Sequence, residues 1–193
     1  YLSEENENIV GVCLHEKRYQ NYGNEIIKYL NLLKEKIFEI SDMKNENTYD
    51  FIKKADPDII LSIYWRYLLP EEIFSYPKYG CINYHAAMLP YNRGKNPNVW
   101  PIIENTPAGV TLHYIDKGID TGEIIAQKEV EVEHIDTGES LYNKLNLAFE
   151  GLFSATWPKI RKNNIIPKKQ LKGQGSFHTS KQFRELGEID LNS

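Results

Sequence analysis

Three polar side chains fall where strand ends are expected: Asn83 and His85 on either side of Tyr84, and Asp120 beyond the following strand. Residues two apart on a strand share a face. If extended geometry persists to His85, its imidazole and the Asn83 amide point into one cleft, where a carboxylate from the neighbouring loop can meet them. Such a set suits acyl transfer to an amine. An amide N–H and an imidazole can hold the oxyanion of a tetrahedral intermediate, a neutral imidazole can accept the amine's proton, and a carboxylate can orient the ring. Each group also has a plainer reading. A strand-end histidine is commonly structural, and Asp120-Thr121-Gly122 is a good turn in its own right; periodicity does not decide between the two. His113 reads as a packed strand residue.

Elements able to position these groups alternate along the chain. The apolar run Ile9 to Leu14 reads as a buried strand, followed by a helix in which Ile26, Ile27, Leu30 and Leu33 recur behind Asn24 as N-cap. Strand Ile37 to Ile40, helix Thr48 to Ala55 ending before Pro57, and strand Asp58 to Tyr64 come next. Alternation of this kind predicts the α/β class, with an open, mostly parallel sheet covered by helices on both faces. A strand over Gly80 to Tyr84 then runs into a loop with Pro90, Gly94 and Pro97. In open α/β sheets ligands bind at the carboxyl edge of the strands, so 83–100 is where chemistry is expected. The strand carrying Val110, Leu112 and Tyr114, the loop Asp116 to Gly122 and the strand Ile124 to Val132 follow. Asp136 and Glu139 have capping-box spacing, and Leu141, Leu145, Ala148, Leu152 and Ala155 form the core stripe of a long helix that Pro158 bends or ends.

Composition narrows the classes of partner. The chain has 193 residues, 41% hydrophobic and 26% charged, which suits one folded domain. With 27 acidic against 23 basic side chains, its net charge of −4 offers no general attraction to a phosphate backbone, which disfavours nucleic acid. Cys13 and Cys81 are expected as reduced, buried thiols; neither lies in a CxxC or CxxH pair, and no metal is expected. No run approaches the ~20 apolar residues of a membrane span, so no membrane partner and a cytoplasmic location are expected, and a homodimer is left open.

The stretch INYHAAMLPYNRGKNPNVW (Ile82 to Trp100), followed by GVTLHYIDKGIDTGEIIAQ (Gly109 to Gln127), resembles the formyltransferases that use 10-formyltetrahydrofolate. The order Asn-x-His, Leu-Pro, Arg-Gly, Asp-Thr-Gly carries the resemblance, which extends from about Ile9 to about Ile160. It implies a Rossmann-like fold, with Asn83, His85 and Asp120 as the catalytic trio. It also implies that the loop Trp65 to Pro70, with Trp65, Arg66, Tyr67, Leu68 and Leu69, lines the folate pocket together with the region Ile115 to Asp120, including Ile115 and Ile119. Two positions depart from the family pattern. Relatives often have Ser-Leu-Leu-Pro where this chain has Ala87-Met88-Leu89-Pro90, and Tyr-Gly where it has Trp65-Arg66.

RGKNPNVW is most similar to amino-sugar N-formyltransferases. The resemblance therefore implies a nucleoside-diphosphate amino sugar as acceptor, with Arg93 and Lys95 for the diphosphate and Tyr91 and Trp100 for the base. Both cations are otherwise ordinary solvated loop charges. Formylation of an aminoacyl group on a carrier protein or of methionyl-tRNA, hydrolysis of the formyl folate, and a non-catalytic folate-binding module are the alternatives. Residues 1–162 are expected as the catalytic domain and 163–193 as a polar extension, in which Gly173 to Lys181 is either a substrate-contacting loop or a plain tail. The relatives open with a strand and helix before the segment matching Ile9 to Leu14. The polypeptide is accordingly expected to carry additional residues before Tyr1.

Overall fold

Two short apolar runs, Val12–His15 (β1) and Ile37–Ile40 (β2), pair in parallel with Val12 opposite Ile37 and His15 opposite Ile40. They belong to the first of two units into which the chain divides, 1–60 with 65–81, the second being 61–64 with 82–193. The computed structural model describes residues 1–40, 43–171 and 173–187; residues 41, 42, 172 and 188–193, the last six closing the expected extension, lie outside the described residues.

In the first unit, helix α1 (Gly23–Leu30) starts behind Tyr22, not behind Asn24, and has no side-chain cap. Its expected apolar stripe is only partly covered: Ile27 and Leu30 are half-buried, whereas Ile26 and Leu33 are exposed. Helix α2 (Glu46–Ala55) begins two residues earlier than the pattern predicts, because the Asn45 side chain accepts a hydrogen bond from the Asn47 N–H. Ile40, Met43, Ile52 and Ile73 form the core here, Ile73 coming from the short helix α3 (Glu71–Phe74). Cys13 is half-buried and Cys81 buried, and burial pushes both thiols up to about 12.

The second unit is organised on a four-stranded sheet in the order β3 (Ile60–Ser62), β4 (Cys81–His85), β6 (Gly109–Tyr114) and β7 (Ile124–Glu129). The α/β class is as expected. Beside the parallel β1–β2 pair, β6 pairs antiparallel with both β4 and β7. The short loop 115–123 explains the second pairing, because a parallel return needs a crossover of a dozen residues or more.

Helix α5 (Gly138–Ile160) packs on β6 and β7. Its capping box is Thr137 with Ser140, one residue beyond the expected Asp136 and Glu139. Leu141, Leu145 and Ala148 are buried as the stripe predicts, but the buried face then turns to Phe153, Thr156, Trp157 and Ile160, leaving Ala155 exposed. A strict four-and-three alternation drifts off a straight 3.6-residue helix, which accounts for the change. Pro158 does not end the helix, which continues to Ile160. On the sheet, Tyr84 stacks on Phe149 of α5 at 3.9 Å between centroids. The odd-numbered residues of β4 therefore face the other way.

Beyond α5, Phe177–His178 (β8) pairs in parallel with Arg93–Gly94 (β5), and helix α6 (Ser180–Leu186) follows a Thr179–Gln182 capping box. Helix α4 (Trp100–Glu104) lies between β5 and β6. Among the described residues no helix is long and apolar enough to cross a membrane.

Leu145 is completely buried beneath β6 and β7. Leu145→Ala is expected to lower unfolding stability by about 2–5 kcal/mol in a urea titration, the cost of lost transfer energy plus a residual cavity. A loss under ~1 kcal/mol would mean that the stripe is not the core of this unit.

Candidate active site

His85 is the last residue of β4, so the strand runs one residue further than the pattern predicts and keeps Asn83 and His85 on one face. The register places His113 of β6 opposite Asn83 and Thr111 opposite His85. Directly paired residues share a face. Thr111 secures the chain as it leaves β4: its hydroxyl donates to the Ala87 carbonyl at 2.7 Å and accepts from the Leu89 N–H at 3.2 Å.

Asp120 reaches these groups from the loop between β6 and β7, with its backbone in the left-handed region at φ +53°. That conformation is costly for a residue other than glycine and persists only where its surroundings hold it. Its Oδ2 accepts from the Gly94 N–H at 2.9 Å and stands 3.6 Å from His85 Nδ1. Its Oδ1 accepts from Asn83 Nδ2 at 3.4 Å and stands 3.6 Å from His113 Nε2. Burial works to raise the pKa of this carboxyl, but the His113 and His85 rings and the Gly94 N–H outweigh it and hold it at about 2. Asp120 is an anion at neutral pH.

His85 moves the opposite way. It is 6% exposed, and burial lowers its pKa more than Asp120 and the Asn92 carbonyl raise it; His113 and Arg93 lower it further. Its Nε2 lies 2.9 Å from the Asn92 carbonyl. A carbonyl only accepts, so Nε2 carries the proton, and in the neutral ring the lone pair is on Nδ1. Nδ1 is the nitrogen that faces Asp120. The neutral ring has no hydrogen to share with the carboxylate across 3.6 Å, but gains one as soon as Nδ1 takes up a proton. A base with its counter-charge already in place is the result.

His113, expected as packing, belongs to this network. Its Nδ1 faces the Tyr114 carbonyl at 2.8 Å and must donate, so Nε2 accepts from Asn83 Nδ2 at 3.1 Å. The signal that finds it is cross-strand register, which a single strand's periodicity does not contain. Gln170, from the expected extension, was equally invisible to local pattern; it donates to the Asp120 and Gly122 carbonyls at 2.9 and 2.8 Å.

The residues expected to meet an acceptor divide. Tyr91 and Lys95 are exposed, and Arg93 is half-buried with its guanidinium donating to Gln170 Oε1. Trp100 needs correcting as a platform for a base: it is 4% exposed, stacked on His178 at 3.8 Å, with its indole N–H donating to the Lys95 carbonyl. Of the residues expected around a folate, Trp65 to Leu69 lie in the first unit, where Trp65 stacks on His15 at 4.4 Å, the Arg66 guanidinium covers the Tyr19 ring at 3.5 Å and Leu68 is exposed. Ile115 and Ile119 lie in the second, half-buried and exposed respectively. Among the described residues no group of three His, Cys, Asp or Glu side chains is placed to hold a metal ion.

The depressed Asp120 pKa makes an acid-stability prediction. Its stabilising contribution is complete above the unfolded value near 3.8 and fades as pH falls toward the folded value of about 2. Denaturation curves between pH 5 and 2 should lose roughly 2 kcal/mol from this group, and Asp120→Asn should flatten that limb. The His85 imidazole, followed by NMR, should titrate below the ordinary 6.5 because burial favours its neutral form; a midpoint above that value would contradict a neutral resting His85.

Comparison with known proteins supplies the family. A formyl transferase family model matches residues 3–155. A methionyl-tRNA formyltransferase from Caldanaerobacter subterraneus subsp. tengcongensis is 33% identical over 200 residues, covering all of this chain and 64% of the relative. Two other curated relatives are matched over 42% and 20% of their lengths, so the chain spans less than two thirds of these proteins. Among solved structures, the formyltransferase PseJ from Anoxybacillus kamchatkensis, in complex with UDP-4,6-dideoxy-4-formamido-L-AltNAc and tetrahydrofolate, is 34% identical with a TM-score of 0.71, covering 90% of this chain and 87% of that one. A 4-N formyltransferase from Francisella tularensis is 31% identical with a TM-score of 0.79, over 95% and 70% of the two chains. With the family model spanning most of its length, the chain belongs to the formyl transferase family.

Proposed function

We propose that this chain transfers a formyl group from 10-formyltetrahydrofolate to the amine of a nucleotide-linked amino sugar, with Asn83, His85 and Asp120 as its catalytic residues. The observation that carries the reading is the neutral, buried His85, whose Nδ1 lone pair faces the anionic Asp120 beside Asn83. Attack by the amine nitrogen forms a bond to the formyl carbon and moves an electron pair onto the formyl oxygen. Asn83 stabilises that oxyanion with the N–H that reaches Asp120 only at 3.4 Å, the weaker of its two donations. His85 Nδ1 takes the amine's proton and Asp120 stabilises the imidazolium. Collapse breaks the bond to the folate nitrogen, which receives a proton, leaving a formamide and tetrahydrofolate.

The amino-sugar acceptor is supported by the 34% identical solved neighbour, described in complex with a UDP-linked formamido sugar, and by Arg93, Lys95 and Tyr91 in one loop. Two cations suit a diphosphate. A second reading, methionyl-tRNA, is favoured by the name of the 33% identical relative, against the chain's net charge of −4.

Tetrahydrofolate production, measured with a nucleotide-linked 4-amino or 3-amino deoxysugar, with the same sugar lacking its nucleotide, and with methionyl-tRNA, separates the readings. The linked sugar is expected to turn over and the free sugar to fall by roughly 10² or more in kcat/KM, since the remote diphosphate orients the amine. Turnover with methionyl-tRNA alone would move the acceptor to an aminoacyl group, and equal release without any amine would make the protein a hydrolase. Asn83→Ala and His85→Ala should each lower kcat by ~10² or more, the scale for losing an oxyanion donor or a general base. A folded His85→Ala variant with near-normal turnover would end this mechanism.

A further inference from the structure

We propose that Gln170 is a positioning residue that aims Asp120 at His85 and ties Arg93 to the same loop. Its kinetic consequences rest on the formyl-transfer reading above. The Gln170 side chain uses its whole hydrogen-bonding capacity on two site elements. Nε2 donates to the Asp120 carbonyl at 2.9 Å and to the Gly122 carbonyl at 2.8 Å, while Oε1 accepts from Arg93 Nε at 3.2 Å and Nη2 at 2.8 Å. An amide is the neutral side chain that offers two donors on one atom and an acceptor on the next.

Asp120 needs such support. Its left-handed backbone is strained, and the side chain reaches Gly94, Asn83 and His85 only while that conformation holds. Gln170 fixes the peptide carbonyls on both sides of Thr121, so the strained turn has a partner outside its own loop. The chain carrying Gln170 is anchored independently, because Lys168 exchanges both backbone hydrogen bonds with Ile124 at 2.8 Å. Changing the Gln170 side chain therefore leaves its backbone in place. Arg93 matters for a different reason: it is one of the cations proposed to meet the acceptor, so the same amide couples acceptor binding to the orientation of the carboxylate.

Two variants of the full chain separate the two ends of the amide. Gln170→Met keeps the length and loses both ends. Gln170→Glu keeps an acceptor for Arg93 but turns a carboxylate oxygen toward two carbonyls. If Gln170 acts through Asp120, both variants should lower kcat by roughly ten- to a hundredfold, the scale of an ångström-sized misplacement. Folding should persist, and Gln170→Met alone should raise the acceptor KM. Recovery of kcat in Gln170→Glu would show that only Arg93 matters, and wild-type kcat in both variants would show that neither end does; either result overturns the proposal.

A second readout needs no substrate. The Gly94 amide donates to Asp120 Oδ2, whereas the adjacent Lys95 amide donates to the His178 carbonyl. In Gln170→Met, hydrogen exchange should become faster at Gly94 and stay unchanged at Lys95. Unchanged exchange at Gly94 counts against the proposal even if formyl transfer is established. Faster exchange supports it even if the reaction proves to be another.

Discussion

A carboxylate taken out of water has to be matched by donors, and the matching of Asp120 shapes the second unit from the site outward. Gly94 and Asn83 donate to its two oxygens and the His85 and His113 rings stand 3.6 Å from them, so four residues from three segments are placed around one charge. Losing the Gly94 or Asn83 donation would leave the buried anion less compensated. Strands β4 and β6 supply three of the four because their register puts Asn83 opposite His113 on the face turned away from α5. The fourth is a main-chain N–H, available only because β5 brings residue 94 to the carboxylate.

The two ionisable groups at the centre are driven apart by the same burial. Removal from water disfavours charge on His85 and also on Asp120, yet Asp120 has enough polar neighbours to remain ionised and His85 has not. The pair thus rests with one negative charge facing an unprotonated ring nitrogen. Proton uptake by the ring converts a contact of an anion with a lone pair into a charge-assisted hydrogen bond. Burial keeps the ring neutral at rest, while the Asp120 carboxylate favours the imidazolium and hydrogen-bonds to it once Nδ1 is protonated.

Strand periodicity placed Asn83 and His85 on one face because that rule depends only on neighbours two residues apart, and the spacing of Leu89-Pro90, Arg93-Gly94 and Asp120 gave the family. What was illegible depends on contacts that local pattern does not encode. His113 enters the site through the pairing of β4 with β6, and Gln170 meets Asp120 across fifty residues of sequence. Trp100 looked like an accessible aromatic face because nothing near it in sequence announces that His178 covers it. The capping box was displaced by one residue for a related reason: Asp136, which looks like the cap, is engaged by Lys144 and the Glu133 N–H, leaving Thr137 to close the helix.

The parallel pairing of β5 with β8 bears on how the site is made. The Asn92 carbonyl and the Gly94 N–H, which hold His85 and Asp120, lie in a loop whose own main chain is tied to Ser176 and His178, 84 residues after Asn92 in the case of its contact with Ser176. A Cβ at Gly94 would collide with the His178 carbonyl, so the two strands close without slack. On a ribosome, where the chain emerges in order, β4, β6 and the Asp120 loop are all synthesised before the strand that secures this loop exists. Assembly of the site is therefore a late, long-range event whose loop-closure entropy is met only when residues 176–178 are in place, so a nascent chain can hold Asn83, His85 and Asp120 well before they are locked together.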